Sequence, residues 1–188
     1  MMKGKNRLRN LIFLALCCVL GLFGKRIISP FSNIITDALR IPGGIATAFS
    51  IMFIVIAAGI TGKKGCGTLM GAVQSVLAMA FGMTGSMGIL APIGYILPGA
   101  VTDMLLTLPE HREKHRIIRV FLANTLASVT AALTADLIVF RLPPPALVLY
   151  LCVAATSGAV CGHIAVLICE KLIKTKAVDF GKERDCRE

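Results

Sequence analysis

Apolar residues run along this chain in long blocks broken by short polar or basic stretches. The longest block, 65–102, contains no Lys, Arg, Asp, Glu or His. One bilayer crossing takes roughly 20 apolar residues, so this block is long enough for two. Its centre, Gly82-Met83-Thr84-Gly85-Ser86-Met87-Gly88, has the glycines and small polar residues of a tight turn. The pattern predicts a helical hairpin, 66–83 and 88–108, around which the other elements pack. Four more apolar blocks predict helices at 11–28, 43–60, 117–140 and 146–172. Three prolines, 143–145, separate the last two, because proline does not continue a helix interior. The turn-rich stretch 29–42 reads as an outer loop long enough to fold over a site.

Composition makes these helices transmembrane ones. The chain of 188 residues is 56% apolar with a mean hydropathy of +0.80, above the roughly 45–50% of soluble domains. No long polar region remains for a second unit, so 1–188 is read as a single transmembrane domain. The net charge of +10 does not point to nucleic acid, because the basic residues are segregated. All Lys and Arg except Lys25, Arg26, Arg40 and Arg141 fall in the N-terminal tail, the 61–65 turn, the 109–119 loop or the region from 171 onward. Cationic loops stay on the cytoplasmic side, and these four segments share a side only if there are six crossings with both ends inside. The expected fold is therefore an all-α membrane protein of six transmembrane helices with cytoplasmic termini, in a prokaryotic cell membrane. The N-terminal basic tail and apolar core have the outline of a secretory signal. Lys25-Arg26 follow instead of a small-residue cleavage site, which predicts a retained helix whose outer end snorkels two cations.

A polar side chain at membrane depth is costly, faces the bundle interior and marks function. Gln74, Tyr95, Asp103, Asn124, Asp136 and His163 meet that description, as do the hydroxyls of Ser128, Thr130 and Thr134. Asp136 is the sharpest candidate, one turn from the outer end of its helix. Its plain alternative is an interfacial carboxylate paired with Arg141. Asp103 has a ready structural role, pairing with Lys63, Lys64 or Arg119, and Gln74 and Asn124 have one as amide links between helices. The expected substrate pocket lies in the outer half, built from Gln74, Tyr95, Asp136 and Asn124, with a lid at 33–40 that brings Asn33 and Asp37. Gly67-x-x-x-Gly71 and Gly158-x-x-x-Gly162 are expected to serve packing within the chain.

Several chemistries are unsupported. The chain has no G-x-x-x-x-G-K-[ST], H-E-x-x-H or G-x-S-x-G, so neither an ATPase of its own nor an enzyme is expected. Its seven cysteines include no C-x-x-C pair. Cys161 and His163, two residues apart, point to different helix faces, and no metal or cofactor is expected.

Four segments carry a resemblance: Ile41-Pro42-Gly43-Gly44 opening the second helix, the inner turn Gly62-Lys63-Lys64-Gly65, Gly71-Ala72-x-Gln74, and Gly94-x-x-x-Pro98-Gly99-Ala100-x-x-Asp103. With the size and the six helices, they make the chain resemble the substrate-binding S component of energy-coupling factor (ECF) vitamin transporters. The resemblance covers most of the chain. It implies a vitamin pocket near the outer face, a transmembrane coupling protein and two cytosolic ATPases as partners. It also implies a small-residue face on the first helix for the coupling protein. The nearest matches are Ala15-x-x-x-Val19 and Cys17-x-x-x-Gly21, giving Ala15, Cys17 and Gly21 as partner-contact residues. Segments two to four look most like the S components for thiamine or its hydroxymethylpyrimidine precursor, and Asp136 suits a cationic ligand. A small secondary transporter or channel and a ligand-free assembly protein are the other classes. The first usually carries inverted repeats, which this sequence lacks.

Overall fold

The computed structural model describes residues 2–38, 45–107 and 113–174. All regular structure among them is helical: α1 (Met2–Ala38), α2 (Ile45–Thr61), α3 (Cys66–Ala80), α4 (Ala91–Leu106), α5 (Glu113–Ala135) and α6 (Pro144–Lys174). Four segments are long and apolar enough to cross a membrane: Asn10–Ile34, Met87–Leu106, Ile118–Phe140 and Pro144–Leu172. The helices α2 and α3 are apolar but shorter. Large apolar side chains stand exposed along the bundle exterior, among them Leu16, Phe23, Ile27, Val76, Leu137 and Val160. A water-facing surface does not carry such a contiguous apolar coat, whereas lipid accepts it. The chain is a helical membrane protein.

The hub is α2 and not the 65–102 hairpin. It packs against all five other helices, and twelve of its seventeen residues are buried. The reason is in its sequence, IATAFSIMFIVIAAGIT, which has no charged residue and no polar face. A helix apolar all round belongs in the interior. Its residues Ile51, Met52, Val55 and Ile56 pack with Val120, Ala123 and Ala127 of α5 and with Ala165 and Val166 of α6. On the other side, Ile54, Ala57 and Ala58 meet Cys17 and Cys18 of α1 and Cys66 and Met70 of α3.

The hairpin itself is present, with α3 and α4 among the most extensively paired helices. Gly82 turns the chain at φ 64°, and a short 3-10 segment, Gly85–Leu90, leads into α4. Small residues let the two backbones touch. A Cβ on Gly71 would run into the carbonyl of Tyr95, and one on Gly67 would lie 2.7 Å from the carbonyl oxygen of Gly99. The pair α5 and α6 closes the same way at Gly158, where a Cβ would come within 2.8 Å of Ser128. Both glycine motifs serve packing inside the chain, as the sequence suggested.

Helix α1 departs from expectation. It does not end at 28 but continues through Lys25-Arg26 and Pro30 to Ala38. Pro30 is exposed, so its ring stands clear of the bundle, and the helix continues without the one backbone hydrogen bond that proline cannot donate. Most of the outer loop expected at 29–42 is therefore helix, and its remainder, 39–42, lies outside the described residues, as do 43–44, 108–112 and the C-terminal tail from 175. The fifth helix likewise changes character at its end, where Asp136–Phe140 form a π turn before Arg141 takes up φ 47°.

Candidate functional site

Three of the polar side chains singled out in the sequence hold the bundle together. Asp103 of α4 sits at the start of α3. Its Oδ1 accepts the Gly67 N–H at 2.7 Å, and its Oδ2 accepts the Thr68 N–H at 2.7 Å and the Thr68 hydroxyl at 2.6 Å. The residue preceding α3 is Gly65, which brings no side-chain cap. Asp103 supplies that cap from a neighbouring helix, and its negative charge meets the positive end of the α3 dipole. Gln74 has no exposed surface; Ser50 of α2 donates to its Oε1 at 3.3 Å, and its amide nitrogen lies against Gly21 of α1. Asn124, also fully buried, donates from Nδ2 to the Gly158 carbonyl of α6 at 2.7 Å.

Asp136 is likewise structural. It is 5% exposed, and its Oδ1 accepts the Leu142 N–H at 2.9 Å while its carbonyl accepts the Arg141 N–H at 2.8 Å. The carboxylate fastens the α5–α6 turn through backbone groups, where the sequence had offered an ion pair with Arg141. Replacing it removes that acceptor and leaves a backbone donor without its partner. Asp136→Ala is expected to lower stability by about 1–3 kcal/mol, read as a fall in thermal unfolding midpoint in detergent.

The cavity lies at the end of the bundle where the second half of α1, the first turn of α2, the 81–90 link and the α5–α6 turn converge. It has a volume of about 300 Å³, at the lower end of the ~300–1,000 Å³ of small-molecule pockets. From α1 come Lys25, Ser29 and Asn33, from α2 Thr47, and from the link Thr84 and Met87. From α5 come Ser128 and the small residues Ala131, Ala132 and Ala135. The chain has two tyrosines, and both Tyr95 and Tyr150 line this space. Phe140 meets Tyr150 edge to face, with centroids 6.3 Å apart at 83°, so two rings form one wall.

Of the six residues expected to bind substrate, Tyr95 and Asn33 line the cavity, whereas Gln74, Asn124, Asp136 and Asp37 are not among its lining residues. Asp37 is exposed in the last turn of α1. The lid expected at 33–40 is helical as far as Ala38. Lys25 is the residue that sequence reasoning missed. It does not snorkel outward with the exposed Arg26; it turns inward, partly buried, and donates from Nζ to the Tyr95 hydroxyl at 2.9 Å. The available signal was its position inside the apolar segment Asn10–Ile34, where a cation needs a partner.

The first helix carries the residues expected to meet a coupling protein. Cys17 and Gly21 are buried within the bundle, Cys17 beside α2 and α3. Ala15 and Val19 face outward, on an apolar surface with Leu16, Leu20 and Phe23. Among the described residues no cluster of His, Cys, Asp or Glu is arranged to hold a metal. Comparison with protein-family models, with curated proteins and with solved structures gave no match.

Proposed function

We propose that this protein is the membrane-embedded substrate-binding subunit of an ECF-type importer, capturing a molecule of vitamin or vitamin-precursor size at the outer face. The observation that carries the reading is the cavity at one end of the bundle, with polar groups on α1, α2 and α4 facing small and aromatic residues on α5 and α6. Small-molecule sites have this make-up, a mainly apolar wall with a few placed polar groups. In the proposed topology α2 and α3 also cross the membrane, the charged segments lie inside, and the cavity end faces out. The lipid-facing coat of exposed apolar residues supports placement in the cell membrane. The chain contains no nucleotide-binding motif, so uptake needs a coupling protein and ATPases supplied by other chains, and Ala15 with Val19 offers an outward apolar face for that contact.

Two outcomes separate this reading from a secondary transporter. Vesicles containing this chain alone, loaded with a proton or sodium gradient and offered a mixture of small metabolites, are expected to bind but not accumulate any of them. Gradient-driven accumulation would overturn the proposal.

A further inference from the structure

Resting on the reading of this cavity as a substrate site, we infer that it takes a small organic carboxylate, whose anionic end sits on Lys25 and Tyr95. The argument starts from the charge balance of the lining. Among the described residues that line it, Lys25 is the one cation and none is Asp or Glu. The two buried carboxylates of the described residues are engaged elsewhere, Asp103 at the start of α3 and Asp136 on the Leu142 N–H. An ammonium carries three donors, and the structure gives Lys25 a single neutral partner, the Tyr95 hydroxyl. Removing an ammonium from water without an opposite charge is costly, and a ligand carboxylate restores the balance.

The direction of that hydrogen bond adds a second element. Because Lys25 donates to the Tyr95 oxygen, the phenol keeps its own hydrogen to donate. Ammonium and phenol then present two donors to one anion, and Ser29 and Thr47 also line the cavity. Ala131, Ala132 and Ala135, facing the edge-to-face pair Phe140 and Tyr150, leave room for an apolar or planar body. A phosphate ester would bring close to two negative charges to a single lysine and be undercompensated. A cationic ligand, suggested in the sequence by Asp136, would meet Lys25 with no carboxylate among the described lining residues.

The test is equilibrium dialysis of the purified full-length protein in detergent against a defined mixture of carboxylates, phosphate esters, amines and uncharged molecules, read by mass spectrometry. Wild-type protein is expected to retain carboxylates. Lys25→Met, which keeps the side chain's length and is compatible with an apolar segment, is expected to reduce that retention at least tenfold, and Lys25→Arg to keep part of it. Retention of amines, phosphate esters or uncharged molecules by the wild type, or undiminished carboxylate retention by folded Lys25→Met, overturns the assignment while leaving a binding site in place. If the wild type retains no compound of any class, the binding reading falls and the inference with it.

Discussion

Gly71→Val should force the α3–α4 pair apart. A Cβ at position 71 runs into the Tyr95 carbonyl and lies 3.3 Å from the Ile96 Cα. Both are backbone atoms, which cannot swing aside as the end of a side chain can. The reciprocal contact is as tight, with a Cβ on Gly99 reaching 2.5 Å from the Gly67 carbonyl oxygen. Overpacking a core typically costs about 1–3 kcal/mol and sometimes more, and here relief requires the helices to part. Separation would also displace Tyr95, since its own carbonyl is the clashing atom. The expected result is a collapsed thermal unfolding midpoint or loss of a monodisperse protein in detergent. Gly65→Ala is the control: Gly65 has a positive φ, 81°, as Gly71 does not, but nothing lies within 4 Å of the added carbon, so its cost is only the backbone preference of about 1 kcal/mol. Equal stability of Gly71→Val and wild type would contradict the described packing.

The second large effect is expected at Asp103. Its carboxylate receives two backbone N–H groups and one hydroxyl across the α3–α4 interface. Loss of a side-chain N-cap costs about 0.5–2 kcal/mol, and hydrogen bonds to a charged acceptor contribute about 1.5–3 kcal/mol each. These figures overlap, because the same bonds form the cap. Asp103→Ala should therefore destabilise by roughly 3 kcal/mol, and Asp103→Asn by less, because the amide oxygen still accepts while the charge facing the helix dipole is gone. The unfolding midpoints should rank wild type, Asn, Ala in falling order. An alanine variant as stable as the wild type would show that the cap is dispensable.

Hydropathy made α2 through α6 legible to within a few residues at most ends, and glycine chemistry placed the turn at 82–88. It did not reveal which helix is the hub. Lipid tails are as apolar as leucine, so a run such as 65–102 reads the same whether it faces protein or membrane. The stronger clue was in α2, which lacks a polar face altogether. The length of α1 was hidden by Lys25-Arg26, which read as the polar edge of a membrane-spanning run, and by Pro30, which disfavours a helix interior. One of the two cations instead finds a partner inside, on Tyr95.

The site was half legible for a related reason. Rarity of polar residues at depth correctly selected groups with specific partners, but it does not say whether the partner is the chain or a ligand. Gln74, Asn124, Asp103 and Asp136 all bond to the protein itself. Tyr95 and Asn33 line the cavity. Tyr150, Ala131 and Ala132 carried no signal in the sequence, because a small or aromatic residue in an apolar helix is ordinary, and only the bundle geometry places them around one space.

The most direct test of the central claim, that this cavity holds a small molecule, is native mass spectrometry of the protein released from gentle detergent. Ala132 is buried in the cavity wall beside Tyr150 and Ala154, so the ring of an Ala132→Phe variant would occupy the space a ligand needs. The account predicts a stoichiometric small molecule on the wild type that is absent from folded Ala132→Phe. The same bound molecule on both proteins, or none on either, would contradict it.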